Sequence, residues 1–266
     1  MTGRGTTGSR GRASAAPDRG RASARDRDSA RDRVAGRARD RDGDELGGGD
    51  ALKVGEVLTE EILDELRQTA RPHAFSTAAR ALADAVLALS QDDPAAAVAA
   101  GREAKGAAPR SGAVRELLGI SLYQVGDYKP ARTELAAAQR ITGNLDLTAM
   151  LADVERATGR PEQAIELFRA TDRSRMSADT AAELLVVAAS AYGDMGQPAA
   201  GLALIRRHAR WPAQLADHHL RLAYAEGALA ERAGDLKAAR EAFARVTRTD
   251  PGFFDAAERL DRLEAG

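Results

Sequence analysis

Apolar positions along this chain fall in helical bursts, each closed by a turn and answered by a second burst. The turns are anchored at Asp92, Gly126, Gly159, Gly196 and Gly234, at spacings of 34, 33, 37 and 38 residues. Behind each anchor stands a helix start: Asp93-Pro94, Asp127-Tyr128, Arg160-Pro161, Gln197-Pro198 and Asp235-Leu236. Pro in a first helical turn gives up no needed hydrogen bond, and Asp can cap the exposed N–H groups. Small residues recur with the turns. Seven positions before the anchors stand Ala85, Gly119, Ala152, Ala189 and Gly227; five positions after them stand Ala97, Ala131, Ala164, Gly201 and Ala239. Ala and Gly make up 66 of residues 51–266, so ten such matches arise by chance about once in 10⁵ trials at a fixed register. The pattern predicts paired helices whose backbones touch at those ten positions.

In these residues the chain resembles the tetratricopeptide repeat family. Leu118-Gly119 with Leu122 is similar to the signature of the family's first helix, and Tyr128 and Ala131 follow Gly126-Asp127 in the expected way. Leu135, Phe168, Ile205 and Phe243 take the large apolar position of the second helix, and Pro109 and Pro251 the closing Pro. Four positions depart from the pattern. Asp84 and Glu226 replace a usual Leu, Gly101 a large apolar residue, and His208 a small one. The resemblance implies an all-α superhelix, a solenoid of about five helical hairpins over residues 78–253. The two longer intervals require extended helices or loops, and the first unit is the weakest.

A solenoid needs ends that face water. Before the repeats, residues 51–77 read as a linker and one N-terminal helix of about 59–70. Thr59 is its expected cap, and Leu58 and Leu63 its hydrophobic staple. After them, residues 254–266 form the expected closing helix, its apolar stripe made of Phe253, Phe254, Ala257, Leu260 and Leu263.

Composition separates the first 50 residues from the rest. They hold 12 Arg, no Lys and 9 acidic residues, a net charge of +3, which leaves −4 for residues 51–266. Val34 is the one apolar residue larger than Ala between Thr2 and Glu45. Such a stretch buries too little surface to offset its ordering entropy, so a disordered leader ending at Gly47-Gly48-Gly49 is expected. Cysteine is absent, which excludes disulfides and thiolate metal sites. No apolar run reaches the length of a membrane span, and the N-terminus has no secretory apolar core; a cytoplasmic protein is expected. The excess of Arg over Lys, with abundant Ala, resembles the coding bias of a GC-rich, actinobacterial genome.

The family's concave surface is lined by the first helix of each pair, which implies where a ligand would lie. The corresponding positions are Ala79, Leu82, Val86 and Leu89; Ala113, Glu116, Ile120 and Tyr123; Asp146, Ala149, Asp153 and Arg156; Glu183, Val186, Ser190 and Gly193; Arg221, Tyr224, Ala228 and Glu231. Their spacing of three and four keeps each set on one helix face. The first set is apolar, and is either covered by the N-terminal helix or open to a partner's helix or peptide. The partner-binding candidates are Glu116, Ile120, Tyr123, Asp153, Arg156, Arg221, Tyr224 and Glu231. Tyr123 and Tyr224 stand out as aromatic anchors, unless they are buried between units. The carboxylate clamp of some family members is missing, since Leu82, Val86 and Leu117 fill the matching places.

Other chemistry is sparse. The four histidines are His73, His208, His218 and His219, and the adjacent pair points about 100° apart on a helix, a poor metal geometry. No nucleophile elbow, phosphate loop or zinc helix motif occurs, so no catalytic residue, metal or cofactor is assigned. Pairs such as Glu162–Glu166–Arg169 and Glu241–Arg245 fit solvated outer faces. Trp211 is expected to fill the wider gap between the last two units. Ser14, Ser23 and Ser29 follow Arg as kinase sites do. The function expected is a non-enzymatic scaffold that binds a partner protein or peptide. The alternatives are a nucleic-acid-associated protein anchored by its Arg-rich arm, and self-association through the solenoid ends.

Overall fold

The computed structural model describes Leu46 and residues 48–265. The leader expected over residues 1–50, with its expected disorder, nucleic-acid contact and phosphorylation, lies outside the described residues except at Leu46 and residues 48–50. Thirteen α-helices follow among the described residues, with no strand. Two lead in: α1 (Gly48–Val57) and α2 (Glu60–Thr69). Five hairpins come next: α3 (Phe75–Ser90) with α4 (Pro94–Ala107), α5 (Gly112–Gln124) with α6 (Tyr128–Thr142), α7 (Leu147–Ala157) with α8 (Pro161–Ala170), α9 (Ala178–Asp194) with α10 (Pro198–His208), and α11 (Asp217–Ala233) with α12 (Leu236–Thr249). Helix α13 (Ala256–Ala265) closes the series on α12.

All five hairpin turns share one construction. The anchor residue is left-handed in each, with φ of +57° at Asp92 and +74° to +79° at the four glycines. The following N–H reaches back across the turn: Asp93 to Ala88, Asp127 to Leu122, Arg160 to Glu155, Gln197 to Tyr192 and Asp235 to Ala230, at 2.8–2.9 Å. The anchor's own N–H bonds the next carbonyl along at 3.0–3.1 Å. These two bonds satisfy carbonyls that a helix end otherwise leaves unpaired, and Gly enters this conformation without steric cost. Asp93 and Asp235 then cap the second helix by accepting from Ala96 and Ala238, and Pro94, Pro161 and Pro198 stand in the first turn. Asp127 stands at the same place without a side-chain cap.

The ten small positions are all buried, and the glycines show why. A Cβ on Gly119 would lie 2.7 Å from Leu135, and one on Gly227 would lie 2.8 Å from the Phe243 ring. Thus the large residue of the second helix occupies the space that its first-helix partner leaves. At Gly201 the obstacle is the backbone carbonyl oxygen of Ala189. The departures from the repeat pattern are compensated locally. Leu118 fills the space beside Gly101, Lys53 of α1 pairs with Asp84 at 2.8 Å, and His208 sits edge-on to Phe168. The extra residues of the two long intervals lie between hairpins. One insertion forms a 3₁₀ turn at Arg173–Arg175; the other is the 209–216 segment, where Trp211 packs on both flanking cores.

The ends differ from expectation in three ways. First, a helix begins at Gly48, where a glycine linker was expected. Val54, which is 1% exposed, and the Lys53–Asp84 pair tie it to α3. Second, Thr59 stands at the start of α2 but makes no side-chain cap, although Leu58 and Leu63 are both buried in one cluster. Third, Phe254 precedes α13 in a left-handed conformation and is 73% exposed; the buried residue is Ala256, with Leu260 and Leu263 beside it.

Candidate functional site

The first helices of the hairpins lie side by side, α3 on α5, then α7 on α9 and α9 on α11. Between the second and third hairpins the contact runs through α6 on α7. Three hollows open along the face these helices share. The first, about 330 Å³, lies among α2, α3 and α5. The second, about 370 Å³, spans α5, α7, α9 and α11. The third, about 310 Å³, lies between α9, α11 and the turn before α13. Of the twenty periodic positions read from the sequence, fifteen line these hollows. The exceptions are Ala79, Leu89, Arg156, Gly193 and Glu231.

The first hollow has apolar walls: Leu58, Ile62, Leu82, Val86, Leu117 and Ile120. Helix α2 therefore covers the apolar first set only in part. Ala79 and Leu82 are buried, whereas Val86 remains half-exposed to the hollow. Two carboxylates stand at its edge. Glu65 accepts the N–H of Gly112 and caps the start of α5. Burial in this setting raises the pKa of Glu116, against an opposing hydrogen bond from Asn144.

The second hollow sets four carboxylates around an apolar floor that includes Ala149, Met150 and Val187. Tyr123 donates its hydroxyl proton to Asp153 at 2.6 Å, joining the second hairpin to the third. Burial raises the Tyr123 pKa, and the bond to Asp153 adds to the effect. Asp146, Asp179 and Glu183 complete the acidic lining, with Arg221 as the one base. Arg221 lies 3.2 Å from Glu183. Arg156 stands at the rim and pairs with Asp153 at 2.8 Å and Asp194 at 3.0 Å, holding α7 against α9.

In the third hollow the C-terminal end intervenes. Tyr224 donates to Asp255 at 2.6 Å, and its ring meets Phe243, Phe253 and Phe254. Arg259 of α13 takes Glu231 at 2.5 Å. Tyr224 thus lines the hollow as a fixed wall, and Glu231 serves to hold α13. Of the eight candidates, Glu116 and Ile120 share the first hollow, Tyr123, Asp153 and Arg221 the second, and Arg221 and Tyr224 the third. Sequence periodicity did not reveal Leu58 just before α2, Ile62 and Glu65 within it, nor Phe254 from the turn, because neither segment belongs to a repeat. Met150 and Val187 lie on first helices one residue off the chosen register, and Thr180 lies one turn before the fourth set.

The adjacent histidines stack, with ring centroids 4.0 Å apart. His218 Nδ1 lies 2.9 Å from Asp179, while His219 Nδ1 accepts the Ala216 N–H. The expected divergence of the two side chains is therefore not observed. Each ring has a local hydrogen-bonding role, and no group of three or more His, Asp or Glu side chains is gathered for a metal among the described residues.

No family model matches the chain, and none of the curated proteins does. Among solved structures it is similar to TTC0263, a thermophilic tetratricopeptide repeat protein of Thermus thermophilus. The TM-score is 0.52 at 18% identity, over 71% of this chain and 100% of that one. It is also similar to a chain in the structure of Naa15/Naa10 bound to HypK-THB. There the TM-score is 0.33 at 13% identity, over 81% of this chain and 39% of that one, too low to bear on the fold. The likeness to TTC0263 and the five hairpins show a tetratricopeptide-like helical-repeat fold.

Proposed function

We propose that this chain is a non-enzymatic, cytoplasmic scaffold that holds a segment of a partner protein along the face of its first helices. One observation supports this above others: three hollows of about 310–370 Å³ follow one another on that face. Their walls are fixed before any partner arrives. Tyr123 is held by Asp153, Arg156 by Asp153 and Asp194, and Tyr224 by Asp255. Side chains immobilised in advance lose little entropy on binding, which leaves more of the contact energy as affinity. An extended or helical segment presents side chains at intervals that successive hollows can receive. No helix among the described residues is long and apolar enough to cross a membrane.

A crosslinking pull-down from the native cell tests the reading. Ile120→Lys places a charge in the first hollow, and Tyr123→Ala removes a wall of the second. Each is expected to reduce partner capture about tenfold or more, the loss of one interface anchor. Glu162→Lys on an exposed part of α8 should leave capture unchanged. Equal capture by all three variants would remove the face from consideration.

A further inference from the structure

We infer that the partner segment received on this face is basic and amphipathic, with an aliphatic side chain in the first hollow and a lysine or arginine beside it on Glu116 and Asp146. The inference rests on the binding face proposed above and names the chemistry of its partner.

Several carboxylates of the face already have a base. Asp153 pairs with Arg156, and Glu183 and Asp179 share Arg221, with His218 also on Asp179. Among the described residues Glu65, Glu116 and Asp146 are held by neutral donors instead. Glu65 accepts the N–H groups of Gly112 and Ala113, and Asp146 accepts that of Ser177 at 3.1 Å. Asn144 links the first hollow to the second. Its side chain bonds Glu116, and its Oδ1 accepts the Asp146 N–H at 3.0 Å. The three carboxylates also act on one another. Burial raises the pKa of Glu116, and the charges of Glu65 and Asp146 raise it further, against the Asn144 bond. A cation brought by a partner relieves this repulsion, and its attraction is stronger in a partly desolvated site than on an open surface.

Acidity alone does not select a peptide; the apolar hollow beside it does. Its walls are Leu58, Ile62, Leu82, Val86, Leu117 and Ile120, and its lining includes no base. Glu116 and Ile120 line it from one face of α5, four residues and hence about 6 Å apart along the helix axis. A bound segment must offer a cationic and an aliphatic group at about that separation. Side chains on one side of an extended segment recur about every 6.6 Å, and those four apart on a helix about every 6 Å. An aliphatic and a basic residue two apart in a strand, or four apart in a helix, satisfy both. The aliphatic stem of a lysine can then lie on the apolar wall while its ammonium reaches the carboxylates.

Fluorescence anisotropy of the full chain with labelled synthetic peptides tests this. One peptide repeats Leu-Gln-Lys-Gln, the extended spacing, and another repeats Leu-Ala-Gln-Ala-Lys, the helical spacing. In their counterparts every Lys is replaced by Glu, or every Leu by Ser. At least one parent peptide is expected to bind about tenfold more tightly than both of its counterparts, the loss that follows removal of one anchor. Glu116→Gln and Asp146→Asn remove the charges and keep acceptors for Asn144 and Ser177. Each should reduce the preference for Lys over Glu about threefold or more, with helical circular dichroism unchanged. Glu162→Gln on the exposed part of α8 should leave the preference intact. Glu or Ser counterparts that bind as tightly as the parents overturn the inference, as does a preference that survives both Glu116→Gln and Asp146→Asn. If no peptide binds while Ile120→Lys still abolishes partner capture, the basic partner is wrong and the face stands. If Ile120→Lys has no effect on capture, the face itself is wrong.

Discussion

At the scale of single residues, two kinds of glycine do different work. Gly126 is needed for its backbone angle, since φ is +77° and an added Cβ would meet nothing within 4 Å. Gly201 is needed for space, because its missing Cβ points at the carbonyl oxygen of Ala189. Gly126→Ala should therefore cost about 1–2 kcal/mol of left-handed strain. Gly201→Ala forces backbone apart and should cost about 3 kcal/mol. Urea midpoints of the two variants should both fall, with Gly201→Ala the lower. Histidine gives a second residue-scale test. Burial, the neighbouring Arg173, Arg207 and Arg210 guanidiniums, and the edge of Phe168 surround His208, and its pKa is lowered. Burial and the His218 ring likewise lower that of His219, partly offset by Asp179. Both folded-state values lie below the unfolded value of about 6.5, so the unfolded chain takes up more protons as the pH falls. Their contribution to stability is complete above about pH 6.5 and is lost on acidification through the folded pKa. Urea unfolding at pH 7.5 and 5.5 should show a larger drop for the wild type than for His208→Phe with His219→Asn. Equal drops would assign the acid sensitivity to other groups.

At the scale of helices and hairpins, buried glutamates tie the hairpins together. Glu134 of α6 takes Lys105 of α4 at 2.5 Å and Arg115 of α5 at 2.8 Å. Glu155 of α7 takes Arg132 of α6 and Arg160 at the start of α8. Glu226 of α11 takes Arg245 of α12 at 2.7 Å, with Arg206 of α10 at 3.7 Å, and Arg245 also covers the Trp211 ring at 4.2 Å. Helical spacing alone pairs Arg245 with Glu241 on an outer face; the structure instead gives it to a carboxylate nineteen residues away. Removing one member of a buried ion pair strands the other, so Glu226→Ala should cost about 3 kcal/mol. Arg245→Ala should cost a similar amount, and the double variant less than the sum. Additive losses in a double-mutant unfolding cycle would show that the two do not act together. These pairs explain what was legible in the sequence and what was not. Ala85, Gly119 and their eight counterparts could be read because contact between paired helices repeats with the chain and tolerates only small side chains. Helix α1 could not be read, because Gly48 and Gly49 disfavour helix locally and Val54 acts only through packing on a distant element. Tyr224 lines the third hollow, and its hydroxyl bond to Asp255 depends on a C-terminal turn that no periodicity describes.

At the scale of the whole molecule, contacts between neighbours build a long surface without a single central core. Among the described residues the core is a row of four apolar clusters, some sharing residues such as Leu167, Val186 and Trp211. A rod of this kind presents side chains from many hairpins to one ligand at once. The apolar, acidic and aromatic characters of the three hollows give that surface a direction, so a partner segment has a preferred orientation. Photo-crosslinking in the native cell tests this most directly. A photoreactive residue is placed in turn at Ile120, Met150 and Ser190 on the face, and at Glu162 and Glu241 on the exposed second helices. The expected result is adducts to one partner segment from the three face positions, in a consistent order along that segment, and none from the two outer positions. Adducts from the outer positions with none from the face would contradict the assignment of this surface.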